Sequence, residues 1–133
     1  MLDTSTVILL GRIQNVDALP DECSISTVTL AELSVGTHVS RTEKDRAARQ
    51  LHLQQAESDF EPIPFDALAA RAFGRVAASL RESGRKPAAR AYDALIAASA
   101  LAVDMPLFTC NPTDFAGIDG LTVVSVPHPD HDS

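Results

Sequence analysis

Four carboxylates stand where apolar stretches meet turns rich in hydroxyl or amide side chains. Asp3 sits in Leu2-Asp3-Thr4-Ser5, and Glu32 in Thr29-Leu30-Ala31-Glu32-Leu33. Asp93 interrupts Ala91-Tyr92-Asp93-Ala94-Leu95-Ile96, and Asp114 falls near the end of Thr109-Cys110-Asn111-Pro112-Thr113-Asp114-Phe115. Acids with Leu, Ala and Phe as neighbours are not all solvated surface charges. A carboxylate taken out of water needs a cation, a proton or several donors to offset its lost hydration. Four of them brought together repel one another unless a divalent cation holds them. The chemistry this points to is a metal-dependent acidic site. All-oxygen donors favour Mg²⁺, or Mn²⁺, over Zn²⁺, which prefers imidazole and thiolate.

Other side chains do not compete for that role. His38 and His52 are isolated on helical stretches, and His128 and His131 lie in a Pro-containing tail where His-x-x-His spacing lacks the helix it needs. Cys23 and Cys110 have neither metal-type spacing nor a neighbouring base, so thiol chemistry is not indicated. Each acid also has a purely structural alternative. Asp3 is a candidate helix cap, but Thr4 or Ser5 is expected to take that job and leave Asp3 free at a strand end. Glu32 could merely complement a helix dipole. Asp93 could pair with Arg90 three residues earlier, and Asp114 could cap its own turn in place of Asn111. Thr109 is placed to hydrogen-bond a ligand carboxylate.

The elements that must position these residues alternate. Residues 1–4 read as a short strand followed by a helix ending at Gly11 or Asn15, and residues 23–26 as a second strand. Residues 28–37 read as a helix, and Thr42 opens a more polar helix over 42–58. Phe60-Glu61-Pro62-Ile63-Pro64 is extended, with prolines that suit a sheet edge. Asp66 caps a helix whose stripe is Leu68, Ala72, Phe73, Val76 and Leu80, and Ser83-Gly84 ends it. Pro87 sits in the first turn of a helix over 88–103, apolar nearly all round and therefore buried, with Asp93 in its second turn. Residues 107–109 and 121–126 read as the last strands. The predicted class is α/β, a three-layer sandwich with a mainly parallel sheet of about five strands flanked by helices. In such sheets sites form beyond the carboxyl ends of the strands, where all four acids are expected to meet.

At 133 residues and 45% hydrophobic content the chain suits one domain, assigned to residues 1–126, with 127–133 a disordered tail. No apolar run is long enough to span a bilayer, and no secretory signal opens the chain, so a reduced cytoplasmic setting without a membrane partner is expected. The net charge of −7 argues against a polyanionic partner at first sight. Its distribution softens that: ten of the 11 basic residues fall in residues 41–49 and 71–90, the second window holding Arg71, Arg75, Arg81, Arg85, Lys86 and Arg90 with Glu82 as its one acid.

Taken in order and at their spacing, the four acidic motifs resemble those of the PIN domain, and within it the toxin ribonucleases of VapBC-type toxin–antitoxin pairs. The resemblance runs from residue 1 to about residue 126. It implies a parallel-sheet α/β fold and Mg²⁺-dependent endonucleolytic cleavage of RNA leaving 5′-phosphate and 3′-hydroxyl ends. It further implies a homodimer, inhibited by a small VapB-type antitoxin whose C-terminal segment occupies the toxin groove. Carried onto this chain, it assigns metal binding and catalysis to Asp3, Glu32, Asp93 and Asp114, supported by Thr4, Thr109 and Asn111. Arg71, Arg75, Arg85, Lys86 and Arg90 are the candidate RNA contacts. With five Phe, one Tyr and no Trp, a stacking platform for single strands is not expected. The alternative from another class is a non-catalytic module whose acidic groove captures a basic peptide. A phosphatase reading lacks a phosphorylatable Asp-x-Asp motif at a strand end; the one Asp-x-Asp, Asp130-His131-Asp132, lies in the tail.

Overall fold

Hydrogen bonds between distant segments define the architecture. The computed structural model describes residues 1–130. Among them run helices α1 (Thr4–Leu9), α2 (Thr27–His38), α3 (Glu43–Asp59), α4 (Ala67–Glu82) and α5 (Ala91–Ala102), then strands β1 (Leu107–Thr109) and β2 (Val123–Ser125). β1 and β2 pair in parallel, Leu107 opposite Val123 and Thr109 opposite Ser125. Leu2 bridges Phe108 and Ser26 bridges Ile63, both in parallel, and the Leu2 N–H donates to the Ser24 carbonyl at 2.8 Å. Five segments thus lie side by side, in the order Ile63, residues 24–26, residues 1–2, β1 and β2.

The expected five-stranded sheet is reduced to a two-stranded ladder extended by single bridges. The reason is local. α1 starts at Thr4 and α2 at Thr27, immediately after the bridged residues, and Pro62 and Pro64 flank Ile63 without a donor to offer. β2 likewise covers only the centre of the expected 121–126 run.

Successive residues of these segments point to opposite faces, as strand geometry requires. Met1 and Leu107 pack with α4 and α5 residues such as Val76, Leu80, Ile96 and Ala100. Leu2 and Ile25 pack with Val7, Leu33 and Ala56 on the other side, joined there by partly buried Phe108. Helices therefore cover both faces, and each fully buried Leu or Ile contributes about 1.5–3 kcal/mol relative to exposure. α5 is the most deeply enclosed helix, with Ala94, Ile96, Ala97, Ala98, Ser99 and Ala100 all buried. Its alanines let α4 approach closely through Ala69, Ala72 and Val76. Leu68 is a correction to the expected stripe, being 56% exposed. It stands at the edge of the α4 face that buries Ala69, Ala72 and Val76.

Helix signals read from the sequence hold at several ends. Thr42 and Asp66 cap α3 and α4 by accepting from Asp45 N–H and Ala69 N–H. The expected helix over 88–103 is instead a 3₁₀ turn, Pro87–Arg90, followed by α5, so Asp93 lies in the first α-helical turn. No helix among the described residues is long and apolar enough to cross a membrane. Residues 131–133 of the expected disordered tail lie outside the described residues, and Asp130 within the tail pairs with Arg12.

The α4 terminus shows how a turn fixes basic side chains near the site. Arg85 N–H donates to Leu80 O at 2.7 Å and Gly84 N–H to Arg81 O at 3.0 Å, a Schellman closure with Gly84 at φ +81°. A Cβ at Gly84 would meet nothing within 4 Å, so only the left-handed backbone opposes a side chain there. Gly84→Ala is predicted to lower stability by about 1–2 kcal/mol from backbone strain alone. Denaturant unfolding checks this, and an unchanged midpoint would show that the turn does not need its glycine.

Candidate acidic active site

Asp3 is nearly sealed, 2% exposed, where the first segment turns into α1. It is itself the cap of α1, which corrects the expectation that Thr4 or Ser5 would be. Its Oδ1 accepts the Thr6 N–H at 3.3 Å and a short bond from the Thr6 hydroxyl. Its Oδ2 accepts the Ser5 hydroxyl at 3.0 Å and the Thr109 hydroxyl at 2.9 Å. Four donors fill the roughly four lone-pair positions of the carboxylate. The physical reason is burial: only a carboxylate, among the residues before α1, uses that many donors, and a sealed anion must use them.

The shell around Asp3 reaches across the chain. Thr109 Oγ1 also accepts the Asn111 N–H at 2.9 Å, and Asn111 Nδ2 donates to Ser5 Oγ at 3.1 Å. Thr6 Oγ1 accepts Cys110 N–H at 3.0 Å, while Thr4 donates to Thr29 on α2 at 3.1 Å. Thr109 and Asn111 are where the sequence reading put them. Thr6 and Thr29 were missed. Thr6 had a legible signal, since a hydroxyl three residues after an Asp cap reaches back to it; Thr29 had none beyond its place near Glu32.

Glu32, in the second turn of α2, leaves its Oε1 buried without a hydrogen-bond partner. Desolvation pushes its pKa up, the nearby Thr4 hydroxyl works against that, and the Asp3 charge adds to the rise. An orphaned buried carboxylate oxygen is costly and calls for a cation or proton.

Asp93 carries the heaviest electrostatic load. Its pKa is pushed up to about 6, first by desolvation, then by the charges of Asp114, Asp3 and Glu32, with Arg90 pulling weakly the other way. The four acids therefore share one region, as expected. Arg90 Nη1 lies 3.1 Å from Asp114 Oδ1 and 3.6 Å from Asp93 Oδ2, so the Arg90–Asp93 pair expected as an alternative is also present.

A cavity of about 220 Å³ adjoins this end of the site, lined among others by Arg85, Lys86, Arg90, Asp93 and Asp114 over an apolar floor of Leu80, Ala94 and Ile118. Arg85 is held there by donating to Thr113 O at 2.9 Å. Arg71 and Arg75 are exposed on α4 and do not line it. Glu32 and Thr4 line a second cavity of about 240 Å³ with Arg49 and His52.

Among the described residues no three carboxylates, imidazoles or thiols converge as a ready metal cage. The donor set nevertheless suits a hard divalent cation. All four groups are oxygen ligands, one oxygen of Glu32 lacks a partner, and a guanidinium stands between two of the acids where positive charge is needed.

The PIN-domain family model matches residues 1–121 of this chain. The chain is 38% identical over 128 residues to ribonuclease VapC5 of Mycobacterium tuberculosis, covering 95% of this chain and 92% of that protein. It is 29% identical over 130 residues to a ribonuclease VapC of Rickettsia bellii, covering 96% of each. Its fold superposes on the crystal structure of VapBC-5, a member of the VapBC family of toxin–antitoxin systems from M. tuberculosis, with a TM-score of 0.79 and 37% identity over 94% of this chain and 96% of that one. VapBC2 of Rickettsia felis, solved with a DNA fragment from its promoter, gives a TM-score of 0.72 and 26% identity over 95% and 97%.

The load on Asp93 has a measurable consequence. Its folded pKa, about 6, lies above its unfolded value near 4, so the folded chain binds the proton more tightly. Stability from this residue is intact below about pH 4 and is lost as pH rises to about 6. In EDTA, Asp93→Asn is predicted to match the parent at pH 4 and to exceed it by roughly 1–3 kcal/mol at pH 7. Urea unfolding at both pH values decides, and parallel curves would refute the strain.

Proposed function

This chain belongs to the PIN-domain family, in its VapC-type ribonuclease branch, and from that premise we propose that it is a Mg²⁺-dependent endoribonuclease acting as the toxin of a toxin–antitoxin pair. The observation that carries the reading is that the charges of Asp114, Asp3 and Glu32 all bear on half-buried Asp93. Its substrate is RNA, its inhibitor a VapB-type antitoxin, and its working form a homodimer. The relatives named as ribonucleases and the VapBC structures support this.

Asp3, Glu32, Asp93 and Asp114 would hold the divalent cation, Mg²⁺ or Mn²⁺. When bound, it supplies Lewis-acid activation of water and neutralises charge developing on the phosphate. The chain's own groups do the rest. Asp3 is fixed by Ser5, Thr6 and Thr109, so it offers a ligand only when one of these hydroxyls turns away. Ser5 is the one of the three that is not fully buried, so its hydroxyl is the one able to turn toward water. Thr4 ties α1 to α2 through Thr29 and lines one cavity with Glu32. Asp93, whose pKa is raised without the cation, is the carboxylate whose ionisation the cation would favour most. Arg85, Lys86 and Arg90 line the adjoining cavity and are the phosphate contacts of choice. Arg71 and Arg75 lie outside that cavity, so their contribution is confined to the general field.

Asp93→Asn is predicted to cut metal-dependent cleavage of cellular RNA by roughly 100-fold or more while the protein stays folded, and EDTA to abolish cleavage by the parent. Full activity of the folded variant would sink the assignment. Silence of the parent with Mg²⁺, freed of any partner, would leave a binding module instead. With three cations meeting phosphate, RNA affinity should fall with salt at a log–log slope of about −2, and Lys86→Ala should flatten it by about 0.7. A flat response in the parent would remove the basic residues from the account.

A further inference from the structure

We propose that Arg90 is the built-in counter-cation of this site: its guanidinium clamps Asp93 to Asp114 in the metal-free protein, and a divalent cation must displace it to enter. The inference rests on the metal-dependent reading above. Arg90 is the last residue of the 3₁₀ turn and precedes α5, with a non-helical backbone at φ −136°, ψ 60°. That kink sends its side chain across the first turn of α5 toward Asp93 and on to the turn Pro112–Phe115, which bears Asp114. One nitrogen meets both acids, at 3.1 and 3.6 Å. The arginine side chain is 59% exposed and the two carboxylates 23% and 24%, so the guanidinium caps them from the solvent side.

Partial exposure makes the clamp exchangeable. Ion pairs open to water are weak, because each charge keeps much of its hydration. A compact divalent cation gathering several carboxylates outcompetes one singly charged guanidinium. The arrangement also accounts for the lack of a preformed cage among the described residues, since the group between Asp93 and Asp114 is an arginine. Arg85 independently holds the Asp114 turn through Thr113 O, so this turn does not depend on Arg90 for its place.

A tether and a counter-cation predict opposite signs. If Arg90 only tethered the turn, its removal would splay the ligands and weaken metal binding. As counter-cation, its removal takes away a competitor and a like charge.

The experiment is calorimetric titration of Mn²⁺ into metal-free parent, Arg90→Met and Arg90→Lys at low ionic strength, with urea unfolding of each metal-free form. Arg90→Met should bind Mn²⁺ about 3- to 10-fold more tightly and unfold at lower urea, and Arg90→Lys should stay near the parent in both. Unchanged or weaker Mn²⁺ binding by folded Arg90→Met, alongside clear uptake by the parent, overturns the counter-cation while leaving the nuclease reading standing. A parent that takes up no Mn²⁺ overturns both.

Discussion

Mutual repulsion among carboxylates with little water between them is the constraint on which this structure turns. Asp93 feels it most, since burial and three neighbouring charges all oppose its ionisation. Such strain persists only where the surrounding fold over-determines the geometry. α5 supplies that: beyond Asp93 it is buried for most of its length against α4 and the sheet, and its Ser99 is bonded to Ser26 at 2.9 Å. The free energy of the core thus holds the acid in a place it would otherwise leave.

The four acids meet that constraint in different ways. Asp3 is satisfied by hydroxyls and one backbone N–H, Asp93 and Asp114 share Arg90, and Glu32 retains an oxygen with no donor. Satisfaction therefore falls from the floor of the site toward Glu32. A cation arriving there gains most from Glu32 and must take least from it. Asp3 works differently, as the fixed anchor whose hydroxyl shell sets the distance between α1 and the end of β1 through Thr109.

Much of this was legible because it is local. Caps at Thr42 and Asp66, the stop at Gly84 and the apolar enclosure of Asp93 follow from rules that act within a turn or two of chain. What was not legible depended on partners far away in sequence. Asp3, Thr4 and Ser5 are all competent caps by type, and the choice of Asp3 reflects Thr109, over a hundred residues on. Leu68 fits the periodicity of α4, but periodicity alone does not mark where the edge of the buried face falls. The sheet is short of its expected strands because helices begin as soon as each segment has made one bridge. The break at Arg90 was hidden behind Pro87, which suits the start of either kind of helix.

An acidic chain of the VapC-type ribonuclease branch faces a difficulty of order if its substrate is a polyanion. With a net charge of −7, its long-range field opposes RNA, and the acids at the centre of the site oppose it most. The neighbouring cations do not simply outweigh them, because Arg90 is already paired with the acids. Both obstacles are relieved by the same event. On the proposed metal-dependent reading, one divalent cation would offset two of the four carboxylate charges and free a guanidinium at the mouth of the cavity that Arg85 and Lys86 already line. The negative field where a phosphate must sit would then weaken. On that reading substrate affinity would follow metal loading rather than precede it, which would keep an acidic surface compatible with a nucleic-acid substrate.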